Sequence, residues 1–175
     1  MTIGTIPQGR QLALYLRSLG AHGSSRVQEI VVERLERLER EGVIEGFETH
    51  VWGDQLALGG ALARTDAGVA LGTTVDDIHA WAADTEVDLV GFERRVLASA
   101  ITDEHHEVVV LPALALVEYE GDELVHVSPC RKPEGCLTVG ERLAELERAS
   151  GVEPPGSGRD SPEREPEAPG RTRTV

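Results

Sequence analysis

The stretch Ser25 to Glu41, SRVQEIVVERLERLERE, constrains the fold more than any other part of the chain. Val27, Ile30, Val31, Leu35 and Leu38 recur at helical spacing and fall on one apolar stripe. Ser25, with Gln28 following as in a capping box, suits the helix start. Gly42 suits its end, where a left-handed residue closes the last turn. Such a helix must lay its stripe on another apolar layer. Its other positions carry Arg26, Glu29, Glu33, Arg34, Glu36, Arg37, Glu39 and Arg40. In one reading these make a solvated, charge-balanced face. Glu33 with Arg37 and Glu36 with Arg40 are acid-before-base pairs at i, i+4, each stabilising the helix by about 0.2–0.5 kcal/mol. In the other, Arg26, Arg34, Arg37 and Arg40 touch the phosphates of DNA. A phosphate-tracking face normally shows a basic excess, whereas each arginine here sits beside a glutamate.

The flanking segments decide how this helix is held. Leu12, Leu14 and Leu16 alternate with Ala13, Tyr15 and Arg17, as in a half-buried strand, yet Leu12, Leu16 and Leu19 also fit a helix. Phe47 to Trp52 reads as a strand, with Phe47, Thr49 and Val51 on one side and Glu48, His50 and Trp52 on the other. A strand at Leu12–Leu19 gives strand–helix–strand with parallel strands in one sheet. A helix there gives helix–turn–helix followed by a wing-like strand. The alternation, with Pro7 and Gly9 upstream, favours the strand, and a strand would largely remove the geometry for reading DNA.

Further along, Gln55 to Gly72 is glycine-rich and reads as a loop or as a short helix around Ala61 to Ala70. Thr74 with Asp77 resembles a capping box opening a helix that runs to Asp84, with Val75, Ile78 and Ala82 inward. Phe92 to Ser99 reads as a strand and Asp103 to Glu107 as a polar turn. Val108 to Tyr119 reads as one long strand with Pro112 at an edge or bulge. Gly121-Asp122 turns the chain into a return strand, Leu124 to Val127. Thr138 with Glu141 opens a last helix striped by Val139, Leu143 and Leu146. After Gly151, prolines, glycines and charges replace apolar residues, and such a tail cannot offset its ordering entropy. The expectation is therefore an α+β fold in which a mixed sheet of about four to five strands carries two to three helices. The order is β-α-β-α-β-β-β-α, with residues 10–150 as one domain and 151–175 as a disordered acidic tail.

Charge narrows the partners. The 175-residue chain has a formal net charge of −14, which opposes simple attraction to DNA or to an anionic membrane. Lys132 is the only lysine. Acidic excess, scarce lysine and abundant small residues resemble haloarchaeal proteins, in whose high salt charge is screened beyond ~3 Å at 1 M. No apolar run reaches the ~18 residues that suggest a transmembrane helix, and the N-terminus lacks the pattern of a signal peptide. A cytoplasmic protein is expected, with DNA or a second copy of the chain as partner and no membrane.

Little in the sequence looks catalytic. Cys130 and Cys136 are spaced too widely for a common zinc knuckle, and His126 is the one nearby third ligand. A pair of free thiols is the simpler reading. Glu104-His105-His106-Glu107 reads as an exposed polar turn. The glycines around Gly59, Gly60, Gly68 and Gly72 lack the Gly-Lys-Ser/Thr of a phosphate loop. Asp66, Asp76 and Asp77 suit helix starts, and Trp52 and Trp81 suit the core. No catalytic residue, metal site or cofactor is expected.

Glu33 to Val51 resembles the end of the recognition helix and the following strand in winged-helix regulators of the Lrp/AsnC type, through Leu38-Glu39-Arg40-Glu41-Gly42-Val43-Ile44. Residues 10–149 more closely resemble a set of short haloarchaeal helix-turn-helix domain proteins. The landmarks are Tyr15-Leu16-Arg17-Ser18-Leu19, Val51-Trp52-Gly53, Thr65-Asp66-Ala67-Gly68, Val110-Leu111-Pro112, Pro129-Cys130, Thr138-Val139 and Arg142-Leu143. The resemblance implies a transcriptional regulator that is not an enzyme, with DNA contacts at Arg26, Arg34, Arg37 and Arg40. The other hypothesis is an α+β module that binds a small ligand or a protein and no DNA.

Overall fold

The computed structural model describes residues 9–17, 25–98 and 105–152. Residues 153–175 of the proposed tail, residues 103–104 of the expected turn and the linker at residues 18–24 lie outside them. Residues Arg10–Leu16 form strand β1, and Gly46–Val51 form β2, which runs parallel to it. Helix α1, Ser25–Arg40, makes the crossover between them. The alternation of Leu12, Leu14 and Leu16 therefore belongs to a strand. Strands β7, Leu114–Glu120, and β8, Glu123–Ser128, complete a mixed sheet in the order β2-β1-β7-β8.

The period-two alternation of β1 and β7 divides two cores across this sheet. Leu12, Leu14, Leu16 and Leu116 face Val31, Leu35 and Leu38 of α1 and Val139, Leu143 and Leu146 of α3, Val139–Ser150. Ala13, Tyr15, Ala115 and Val117 face the other way, against Val75 and Ile78 of α2, Asp66–Asp84. Helices thus cover both faces. Two three-stranded sheets complete the fold. One has the order β3-β6-β5, from Gln55–Ala57, His105–Val110 and Glu93–Ala98; the other has the order β10-β9-β4, from Gly135–Leu137, Cys130–Lys132 and Asp88–Leu89.

The α+β architecture agrees with the sequence expectation, and several element assignments change. The Val108–Tyr119 segment is two strands, not one. Pro112 lacks an N–H and cannot continue a ladder, so the chain leaves β6 at Val110 and enters β7 in a different sheet at Leu114. The carbonyl of Pro112 accepts the indole N–H of Trp52 at 3.1 Å, which fixes this corner. Helix α2 starts eight residues before the expected capping box. Thr65 is its N-cap and accepts from the Gly68 N–H at 3.0 Å, whereas Thr74 sits mid-helix with its hydroxyl donating to Ala70 O. The glycine-rich stretch contains β3 and a 3-10 turn at Leu62–Arg64. His105, His106 and Glu107 lie in β6 and not in a turn.

Candidate nucleic-acid interface

The four arginines of α1 do not share one environment. Arg26 and Arg40 are exposed and Arg37 is half-buried. At about 100° per residue, these three fall on the same strip of the helix, away from Leu35 and Leu38. Glu33 lies between them, and the exposed Glu29 and Glu36 border the same strip, so the three arginines are interleaved with acids.

Arg34 lies elsewhere. Its side chain is 12% exposed, and its guanidinium donates two bonds to Glu147 of α3, from Nε at 2.8 Å and from Nη2 at 2.7 Å. Nη1 adds a bond to Gly140 O at 3.1 Å. The bidentate match of a planar guanidinium to a carboxylate is the strong form of ion pair, and here it clamps α1 to α3. Three of its five N–H donors are thus engaged within the fold.

A second ionic group lies under α3. Glu118 of β7 is fully buried and accepts from both Nε and Nη2 of Arg142, with Arg10 Nη1 at 3.3 Å. Its carboxylate holds the Arg142 guanidinium in the charged form against the opposing effect of burial. Opposite Glu118 in the ladder stands His126, buried and edge-on to Trp81 of α2, with ring centroids 5.5 Å apart. Burial, then the nearby Arg142, pulls its imidazole down from 6.5 to about 4, so the ring is neutral at ordinary pH. The sequence reading passes over these residues, although a signal is present. Glu118 continues the stripe of Leu114 and Leu116, and Glu147 adjoins Leu146. A carboxylate on an apolar stripe requires a buried cation.

The remaining candidates serve the fold. Cys130 is buried, which raises its thiol pKa, while Cys136 is exposed. Cys130 pairs with Leu137 and Cys136 with Arg131, so the two thiols point to opposite faces of the β9–β10 ribbon. Among the described residues, no cluster of three His, Cys, Asp or Glu is arranged to hold a metal ion. Trp52 is buried and stacks on Tyr15 with centroids 4.8 Å apart. Asp66 stands in the first turn of α2. An apolar hollow of about 500 Å³ opens between α1 and the start of α3, lined by Val27, Ile30, Pro112, Leu114, Pro129 and Val139.

These features define an α+β domain whose main helix is clamped on a sheet and carries Arg26, Arg37 and Arg40 on its other side. The chain belongs to a helix-turn-helix domain family, whose model matches residues 5–151. Membership in that family points to binding DNA and not to catalysis. No curated protein and no solved structure matches the chain. Among the described residues, strands separate α1 from α2 and α2 from α3. Among the described residues, the element before α1 is strand β1. No described helix is long and apolar enough to cross a membrane.

Proposed function

We propose that the protein is a DNA-associated transcriptional regulator that acts without catalysis. Its contacts are phosphate contacts from Arg26, Arg37 and Arg40 on the outer strip of α1. The observation that carries the reading is the family match over residues 5–151; the three arginines supply the candidate contacts. Arg34, the fourth arginine expected from the sequence, enters as the clamp that fixes the strip's orientation. With α1 seated on a sheet, the contact is an exposed helix face laid along the backbone, so affinity is mainly electrostatic and sequence preference is modest.

The test is retention of duplex DNA across a salt series. Wild-type affinity should fall linearly in log–log form. Arg26→Ala/Arg37→Ala/Arg40→Ala should flatten that slope by about 0.9 for each phosphate the variant no longer neutralises. An unchanged urea midpoint would show that the variant is folded. Failure of the wild-type protein to bind, or an unchanged slope, refutes the assignment. The hollow at Val27 and Ile30 favours a second reading, an apolar-ligand module. In that case Ile30→Glu abolishes uptake of a fluorescent apolar probe while the arginine variant leaves it intact.

A further inference from the structure

Strand β5, Glu93–Ala98, closes one side of the sheet β3-β6-β5, so the backbone donors and acceptors on its outer edge lack a strand partner among the described residues. Folded proteins usually guard such an edge with charge, a proline or a bulge. This edge has little protection. Val96 is 60% exposed and Leu97 is 42% exposed, and as neighbours on a strand they point to opposite faces. The adjacent arginines carry their own counterions. Arg95 is paired with Glu93 at 2.5 Å, and Arg94 lies 3.9 Å from Asp76 of α2. The strand therefore presents apolar side chains and an open hydrogen-bonding edge with most of its charge compensated internally.

We propose that β5 pairs antiparallel with β5 of a second copy of the chain, about a two-fold axis at Val96, joining the two three-stranded sheets edge to edge. A second copy fits because a two-fold contact needs a self-complementary patch, and the order of residues on β5 meets that condition. Centring on Val96 sets Val96 against its own equivalent, Arg95 against Leu97 and Arg94 against Ala98. No like charges then stand directly opposite. A centre at Arg94 or Arg95 would set arginine against arginine, a destabilising cross-strand pair. Both exposed apolar residues leave water, Leu97 packs diagonally across the axis, and both outer edges gain ladder partners.

The test is sedimentation velocity of the full chain in about 1 M salt, where charge is screened beyond ~3 Å and the net negative charge no longer opposes association. A concentration-dependent dimer is expected. The Val96→Lys/Leu97→Lys variant should sediment as a monomer with an unchanged circular dichroism spectrum, since both positions are exposed. A nitroxide placed by Val96→Cys in a Cys136→Ser chain should show dipolar broadening from its mate. The same label at Val69, exposed on α2, should not. A monomeric wild-type chain, or a double-lysine variant that still dimerises, overturns the proposal. A dimer whose labels at position 96 show no broadening overturns the axis at Val96.

Discussion

The residue that changes meaning most between sequence and structure is Arg34. In the sequence it is one of four arginines on a charged helix face. In the fold it is the cation of a buried pair whose carboxylate, Glu147, is fully buried. Taking one partner away strands the other charge out of water, which typically costs 3–5 kcal/mol, whereas replacing both with apolar groups of similar volume is often neutral or better. Arg34→Ala and Glu147→Gln should each lower unfolding stability by roughly that amount, measured by urea titration, and Arg34→Met/Glu147→Leu should cost less than either single change. A double-variant loss equal to the sum of the two single losses would mean that each residue acts alone. Arg34 also shows why the site is only partly legible in the sequence. Periodicity places a residue on a helix face, but the partner lies 113 positions away, and no local pattern announces which arginine will meet it.

Among the elements, the strongly periodic ones are readable and the composite ones are not. The alternation of β1 reports a sheet with two cores, and the stripes of α1 and α3 report the helices that pack on one of them. The capping box predicted for α3 is present, with Thr138 accepting from Glu141 N and the Glu141 carboxylate accepting from Thr138 N. The start of α2 misleads because a mid-helix threonine followed by an aspartate copies the spacing of a cap, while the true cap at Thr65 precedes a glycine-rich turn with no stripe. The short strands β4, β9 and β10 have two or three residues each, too few for any period to show. His126 sits where these elements converge, on β8 between Trp81 of α2 and Arg142 of α3, with Glu118, Glu145 and Lys132 also acting on it. Its folded pKa of about 4 lies below the ordinary 6.5. Between those values the unfolded ring binds a proton that the native ring refuses. The stability this group contributes is therefore complete above about pH 6.5 and declines as pH falls through that value towards 4, by up to roughly 3 kcal/mol. Urea midpoints across this window should fall, and His126→Gln should remove most of the fall that precedes carboxylate titration. A variant with the wild-type profile would show that the loss originates elsewhere.

Over the whole molecule, two classes of charge respond to salt in opposite senses. The pairs at Glu118 and Glu147 are buried, where mobile ions do not reach, and they hold the layers together at any ionic strength. The excess that makes the chain −14 overall, 31 acidic residues against 17 lysines and arginines, must lie mainly at the surface. It repels itself across distances that dilute salt leaves open. Raising salt from about 0.1 M to about 1 M shortens the screening length from ~10 Å to ~3 Å, so this repulsion should fade while the buried pairs persist. The expected result is a urea midpoint that climbs with sodium chloride over that range. The rise should shrink in Glu36→Gln/Glu41→Gln/Asp122→Asn, which removes three exposed carboxylates without touching either buried pair. DNA retention should move the other way over the same range, because each phosphate contact depends on releasing counterions. Stability that increases while DNA affinity decreases, in one salt series on one protein, separates the two roles of charge. A midpoint that stays flat or drops would mean that local surface pairs outweigh the net excess. The strip on α1 would then have to be understood as part of that pairing and not as a phosphate-binding surface.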